Sequence, residues 1–188
     1  MSVKGRTIAV TGVSSGIGAA SARLLRQQGA TVVGFDIRAP AAGAVDRFVS
    51  LDQGDLASID QAVTSAPSGL SGLMNIAGVA PGANFPPAKV LKINFFGLRY
   101  FTEKLLPKLD KGATIVNMSS GAGLGWSQNG PLLKEFLALG SIDEIDGFVS
   151  KHKIGNVGIV ADPNGQPAAN PGSQSIGIEA DPDGVPHH

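Results

Sequence analysis

Short apolar runs alternate with amphipathic stretches along the first two thirds of the chain. The apolar runs predict five β-strands, at Thr7–Val10, Thr31–Phe35, Arg47–Leu51, Gly72–Ile76 and Ala113–Met118. Helical spacing between them predicts helices over Ala19–Gln28 (ending at Gly29), from an N-cap at Ser58 through Ser65, and over Ala88–Leu106. Strand–helix–strand units of this kind indicate an α/β fold, a doubly wound, Rossmann-like parallel sheet.

The pattern changes after Ser120. Residues 121–131 have a loop-like composition, and Leu132–Leu139 and Ile142–His152 predict two short amphipathic helices. We therefore interpret 1–154 as a Rossmann domain that carries a helical insertion at 131–153. The sheet is expected to be truncated or altered after its fifth strand.

The last 34 residues, 155–188, form a distinct segment in which glycine and proline supply 11 positions. This composition is typical of irregular chain. Two short runs within it, Val157–Val160 and Ser175–Glu179, are the candidates for surrogate strands at the open edge of the sheet. The terminal His187 and His188 resemble a tag remnant, and we predict no metal site.

Composition excludes several classes of partner. Of the 188 residues, 43% are hydrophobic, and the formal net charge is zero, so nothing favours nucleic acid or an anionic membrane. The absence of cysteine excludes disulfides and thiolate metal sites. Because neither a cleavable signal nor a long apolar span is visible, we expect a cytoplasmic protein with a small-molecule substrate.

A glycine-rich segment directly follows the first predicted strand. Gly12, Gly16 and Gly18 have the spacing G-x-x-x-G-x-G, with Ser14, Ser15 and Ile17 between them. A strand that turns sharply into a helix directs free N–H groups at a pyrophosphate, and glycine lets the backbone approach it closely. The serine hydroxyls add donors. The alternative is an ordinary glycine-rich turn. It is less favoured because a strand precedes the glycines, a helix follows them, and an acidic residue ends the next strand.

The acidic residue is Asp36, at the end of the second strand and 18 residues after Gly18. A carboxylate at this position can accept hydrogen bonds from both hydroxyls of an adenosine ribose, and it repels a 2′-phosphate. NAD is therefore favoured over NADP, with Ile37 beside it in the site. Arg38 is the competing signal for NADP, and a simple turn aspartate is the structural alternative.

An ordered series of motifs resembles the short-chain dehydrogenase/reductase family over residues 5–123. The matching segments are Thr11–Gly18, Asp36, Leu51–Leu56, Asn75–Gly78, Ile93–Gly97 and Val116–Ser120. The apparent insertion further resembles the bacterial 3α-hydroxysteroid dehydrogenase/carbonyl reductase branch. Such a likeness implies an oxidoreductase that uses NAD(H) on a secondary alcohol or ketone.

The resemblance also implies roles for individual residues. Asp52 and Gln53 would contact the adenine, while Asn75, Ala77 and Gly78 would line the adenosine ribose and support the central strand. Asn94 matches the helix asparagine that holds a proton-relay water, and Ser120 matches the serine that hydrogen-bonds the substrate oxygen. The alternatives are a satisfied helix amide for Asn94 and a loop-capping role for Ser120.

Members of this family use a Tyr-x-x-x-Lys pair as acid and base, and it should follow Ser120. We interpret the chain as lacking this pair, because its only tyrosine, Tyr100, lies in the helix after Asn94. Tyr100 is expected to pack or to lie in an interface. Two alternatives to an active enzyme therefore stay open: a catalytically impaired NAD-binding protein, and a truncated family member. A homodimer through the Ala88–Leu106 helix is a further expectation.

Overall fold

The computed structural model describes residues 2–82, 84–120, 127 and 129–155. It divides into two compact units, Met1–Met118 and Ser119–His188. The predicted surrogate strands and the terminal histidines lie outside the described residues. Within the described ranges, no helix combines the length and apolarity needed to cross a membrane.

The first unit is built on a five-stranded parallel sheet, as the sequence predicts. Its strands are β1 (Thr7–Thr11), β2 (Thr31–Asp36), β3 (Arg47–Ser50), β4 (Leu70–Asn75) and β5 (Leu109–Asn117). The order β3-β2-β1-β4-β5 places β1 in the centre, and the chain reverses its direction of winding between β1 and β4. In open α/β sheets the carboxyl side of such a switch point is where ligands bind.

The fifth strand begins earlier than Ala113, where the apolar pattern predicts it. Leu109 already pairs with Leu70, but the register then shifts, and regular pairing resumes between Thr114 and Gly72. Gly112, with a φ of +84°, lies in this irregular stretch. A sequence pattern marks only the regular part, because the bulged residues do not alternate.

Helices lie against both faces of the central part of the sheet, whereas most of β5 is exposed. The helices are α1 (Gly16–Gln27), α2 (Leu56–Ser65), α3 (Pro87–Leu91) and α4 (Leu98–Leu105). The prediction of one continuous α-helix over Ala88–Leu106 is wrong in the middle of that range. A π-helical turn at Lys92–Gly97 separates α3 from α4. A 3₁₀ turn at Leu106–Lys108 follows α4.

The predicted N-cap of α2 is wrong. Asp55 is the N-cap, and its carboxylate accepts a hydrogen bond from the Ala57 N–H at 3.0 Å. The hydroxyl of Ser58 instead accepts from the Asp52 N–H at 2.9 Å. Two residue types that cap well stand three positions apart here, and the apolar Leu56 between them begins the helix.

Two hydrophobic clusters fill the space between sheet and helices. One lies beneath α2 and α4, where the rings of Phe35 and Phe101 meet edge to face at 5.1 Å between centroids. The other lies beneath α1 and includes Val10, Val32 and Ala22. Burial on both faces is typical of a parallel sheet, and it holds the carboxyl ends of the central strands in fixed positions.

The described part of the second unit is a helical hairpin. It consists of α5 (Gly130–Leu137), a 3₁₀ turn at Ile142–Glu144 and α6 (Ile145–Lys151). Phe136 and Phe148 pack at 5.3 Å between ring centroids. Both predicted helices thus form, within a few residues of their predicted bounds.

Candidate dinucleotide-binding site

The turn from β1 into α1 has the backbone geometry of an anion cradle. Gly12 and Gly16 have φ angles of +79° and +53°, which glycine adopts most readily. A Cβ atom on Gly18 would lie 2.1 Å from the carbonyl oxygen of Gly12, so only glycine fits there. The N-cap residue Ser15 makes no side-chain capping bond, and the first turn of α1 holds no acidic residue. The positive end of the helix dipole is therefore left for an anion.

The carboxylate of Asp36 lies against this turn. Its Oδ2 accepts the backbone N–H of Ser14 at 2.9 Å, and its Oδ1 accepts that of Arg38 at 3.0 Å. The next side chain, Ile37, is 63% exposed, an apolar surface beside the carboxylate. The Asp36 carboxylate is therefore adjacent to the first crossover connection; its contact with a ribose stays a prediction.

The loop between β2 and β3 is anchored by an ion pair that the sequence pattern does not predict. The guanidinium of Arg26 on α1 bonds to both carboxylate oxygens of Asp46, at 3.1 and 3.0 Å, and to the carbonyl of Gly43. Asp46 also accepts the Val32 N–H at 2.8 Å. Burial alone would raise the pKa of Asp46, but the Val32 N–H and the guanidinium outweigh it and hold that pKa below its ordinary value.

Replacing Asp46 with asparagine is expected to lower the free energy of unfolding by about 1 kcal/mol at pH 7, because the pair is charged but a third exposed. Since the folded-state pKa is lowered, the contribution of Asp46 is fully present above its unfolded pKa of about 3.9 and disappears as the pH falls through the folded value. Urea unfolding between pH 3 and 7 measures this. Asp110→Asn, at an exposed carboxylate, is the control. A wild-type advantage that stays constant down to pH 3 would contradict the assignment.

The loop after β4 is fastened to β1 by Thr11. The buried hydroxyl of Thr11 accepts the N–H groups of both Ile76 and Ala77, each at 2.9 Å. Ala77 also lies so close to Gly12 that a Cβ there would be 3.0 Å from the Ala77 nitrogen. The glycine motif that contains Thr11 predicts no role for its side chain. A threonine at the end of a central strand, before the turn, was the available signal.

Asn75 has its side chain turned into the sheet. It is 1% exposed, and its amide nitrogen donates to the hydroxyl of Thr102 at 2.9 Å and to Oδ1 of Asn117 at 2.8 Å. These bonds join the carboxyl ends of β4 and β5 to α4. The two roles predicted for Asn75, support of the central strand and contact with a ribose, both stay predictions.

Asn94 lies in the π-helical turn, and its side chain is hydrogen-bonded to the loop after β4. Its side-chain oxygen accepts the Val79 N–H at 2.9 Å, and its side-chain nitrogen donates to the Val79 carbonyl at 2.8 Å. A Cβ on Gly78 would lie 3.3 Å from the same oxygen. The amide is thus satisfied within the protein although the residue is exposed. Its predicted role in holding a relay water stays a prediction.

Asp52 and Gln53, the residues predicted to contact an adenine, differ in orientation. Asp52 is half-buried and accepts the Gly54 N–H at 2.8 Å. Gln53 is 5% exposed, and its side-chain nitrogen donates to the Ile93 carbonyl at 3.3 Å. The Gln53 side chain is therefore buried inside the protein. Any contact between Gln53 and an adenine would have to be made by its backbone atoms.

Tyr100 and Lys104 have the spacing Tyr-x-x-x-Lys, but they precede Ser120 and so are not the pair that the family resemblance places after it. The Tyr100 hydroxyl donates to the carboxylate of Asp60 on α2 at 3.1 Å, and the Lys104 ammonium lies 3.7 Å from the same group. Interaction with the Tyr100 hydroxyl, and then with the negative charge of Asp60, raises the pKa of Lys104 above its ordinary value. The pair thus joins α4 to α2, in agreement with the packing role expected for Tyr100.

Ser120 is exposed and belongs to the second unit, and its predicted role in substrate binding stays a prediction. The residues of the first unit, taken together, fit a dinucleotide. An open helix N-terminus, glycines that admit a phosphate and a carboxylate one strand away are the parts that such a ligand requires.

Comparison with known proteins places this arrangement in a family. The family model described as short chain dehydrogenase matches residues 6–131. A coniferyl-alcohol dehydrogenase from a Pseudomonas species is 44% identical over 142 residues, which cover 76% of this chain and 53% of that protein. A 3-alpha-hydroxysteroid dehydrogenase/carbonyl reductase from Comamonas testosteroni is 29% identical over 126 residues, 65% of this chain and 48% of the relative.

Solved structures give the same result. A 3-ketoacyl-(acyl-carrier-protein) reductase from Brucella melitensis in complex with NADH is 27% identical, with a TM-score of 0.56 over 66% of this chain and 60% of the other. A dehydrogenase/reductase from Sinorhizobium meliloti is 27% identical, with a TM-score of 0.52 over 65% and 56%. The chain spans about half the length of the curated relatives that it matches. It belongs to the short-chain dehydrogenase/reductase family.

Proposed function

We propose that this chain binds NAD(H) as the cofactor-binding part of an oxidoreductase that interconverts a secondary alcohol and a ketone. One observation carries the proposal: Oδ2 of Asp36 lies 2.9 Å from the backbone nitrogen of Ser14, so the carboxylate is adjacent to the phosphate turn. In NAD-binding Rossmann folds the ribose of the adenosine lies between such a carboxylate and such a turn.

The remaining capacity of Asp36 supports this role. An ionised carboxylate has about four acceptor positions, and the described contacts use one on each oxygen. Two hydroxyls of a ribose can therefore still bond to it. Gly12, Gly16 and Gly18 would hold the pyrophosphate, with the hydroxyls of Ser14 and Ser15 as added donors, and the exposed side chain of Ile37 would lie along the adenine.

Replacing Asp36 with asparagine is expected to change cofactor selectivity. The amide keeps one acceptor for the backbone but loses the charge that repels a 2′-phosphate, and Arg38 is near enough in sequence to assist an anion. We expect NAD affinity to fall by about tenfold, as for a lost hydrogen bond to a charged group, and NADP affinity to rise. Calorimetric titration of both cofactors measures this, with Asp110→Asn as the control. An unchanged ratio of the two affinities would remove Asp36 from the site.

The bound cofactor supplies the hydride chemistry, and the protein's residues orient the reactants and handle the proton. Ser120 would hydrogen-bond the substrate oxygen, and Asn94 would keep the loop at Gly78 and Val79 in place beside the cofactor. The relatives named for coniferyl alcohol and for 3-alpha-hydroxysteroids make these two alcohol classes the first substrates to assay.

A second candidate is a protein that binds NAD without turnover. No tyrosine follows Ser120 in this chain, and the hydroxyl of Tyr100 is already bonded to Asp60. The two candidates separate in an assay of NAD reduction with both alcohol classes, run on protein whose NAD binding has been verified. Turnover above the buffer rate identifies the oxidoreductase. Saturable NAD binding with turnover at the buffer rate assigns this chain to binding alone.

A further inference from the structure

The buried side chain of Gln53 joins the proposed adenine end of the site to the π-helical turn. Its amide donates to the Ile93 carbonyl, the first of three contacts between these segments. A Cβ on Gly97 would lie 1.7 Å from the Gln53 carbonyl oxygen, so the two backbones touch. A Cβ on Gly54 would lie 3.3 Å from Cγ1 of Ile93. The segment 52–54 therefore rests directly on the π-helical turn.

The same turn holds the loop after β4 through Asn94. The Asn94 amide makes two hydrogen bonds with the backbone of Val79, and Gly78 lies against its oxygen. A continuous path thus runs from Gln53 to Ile93 by a hydrogen bond, to the adjacent Asn94 through the backbone of the π-helical turn, and on to Val79 by hydrogen bonds. In the proposed function, its two ends lie at the adenine and at the loop beside the reacting groups.

Burial makes this connection stiff. Gln53 is 5% exposed. A displacement of segment 52–54 would therefore break the hydrogen bond between the Gln53 side-chain amide and the Ile93 carbonyl in a place that water hardly reaches. Leaving a buried polar group without a hydrogen-bond partner is unfavourable. The position of the adenine-side segment and the position of the π-helical turn are therefore coupled.

We infer that Gln53 is a positioning residue, through which occupancy of the adenine site stabilises the hydrogen bonds between Asn94 and Val79. This inference rests on the proposed function, because it takes residues 52–54 as part of the adenine site. Gln53 itself makes no side-chain contact with the ligand; it acts through Ile93 and the turn that carries Asn94.

Hydrogen exchange of the Val79 amide reads this coupling directly, since that N–H donates to Asn94. The probe is adenosine 5′-monophosphate, which has the adenine, the ribose and one phosphate but no nicotinamide. At saturation it is expected to slow exchange of the Val79 N–H about fivefold in the wild type, the factor for about 1 kcal/mol, and less than about 1.5-fold in Gln53→Met. Gln61→Met, the same substitution on the exposed face of α2, should behave as the wild type.

Each comparison is made within one variant, with and without the nucleotide, so a general loss of stability does not produce the effect. Gln53→Leu, which also removes the N–H donor and adds no charge, replaces Gln53→Met if the latter does not fold. Equal slowing in the wild type and in the Gln53 variants, or no slowing in the wild type despite nucleotide binding, overturns the inference alone. Absence of nucleotide binding in calorimetry overturns the proposed function and the inference together.

Discussion

Replacing Gly97 with alanine is expected to lower the free energy of unfolding by about 3 kcal/mol or more. The new Cβ would lie 1.7 Å from the carbonyl oxygen of Gln53 and 3.2 Å from that of Lys92, and both of these atoms are backbone. Neither can rotate away, so the π-helical turn must move off segment 52–54. This cost exceeds the gain of up to about 1 kcal/mol that alanine brings to an unobstructed helix position.

Urea unfolding followed by far-ultraviolet circular dichroism measures the effect. Gly147→Ala is the matched control, because Gly147 also lies inside a helix, α6, and nothing is within 4 Å of the Cβ that alanine would add. Gly147→Ala is expected to leave the free energy of unfolding of the second unit unchanged or to raise it slightly. A Gly97→Ala protein as stable as the control would show that the contact with Gln53 is not as close as described.

Replacing Gly18 with alanine is expected to abolish NAD binding, with a loss of affinity of about a hundredfold or more. Its Cβ would lie 2.1 Å from the carbonyl oxygen of Gly12 and 3.0 Å from that of Thr11. The first turn of α1 would have to separate from β1, and the N–H groups that hold the pyrophosphate would move with it. A displacement of about 1 Å at a positioned group can cost a factor of about a hundred.

Gly16→Ala is the informative comparison for this variant. Gly16 has a positive φ, but a Cβ there would have no atom within 4 Å, so alanine meets backbone strain without a collision. We expect it to lower the stability by about 1 kcal/mol and to leave the strand–helix contact intact. Titration with NAD at a temperature where both variants are folded separates the two effects. Stronger NAD binding by Gly18→Ala than by Gly16→Ala would contradict this account of the turn.

Features specified by neighbouring residues could be predicted from the sequence. The strands β1, β2 and β4, the glycine turn and the carboxylate at the end of β2 each follow from a local pattern of apolar runs, turn residues and spacing. Their relative placement follows from the handedness of crossover connections. For this reason the proximity of Asp36 to the turn at Ser14 could be expected before any distance was known.

Features specified by distant contacts could not be predicted in this way. The π-helical turn depends on the approach of Gly97 to Gln53, 44 positions earlier, and nothing in the helical pattern of 88–106 marks it. The hydrogen bond from the Gln53 side chain to the Ile93 carbonyl likewise cannot be predicted from the residues around either position. The spacing of Tyr100 and Lys104 is readable in the sequence, but its meaning depends on Asp60, which only the packing of α2 against α4 brings within reach.

Calorimetric titration of the folded chain with NAD measures cofactor binding itself. We expect saturable binding of one NAD per chain with a Kd below about 1 mM, the range in which enzymes bind their small ligands. NADP should bind more weakly, and NAD binding should be lost in Gly18→Ala. A wild-type chain that unfolds cooperatively yet gives no saturable heat with millimolar NAD would show that it is not an NAD-binding protein.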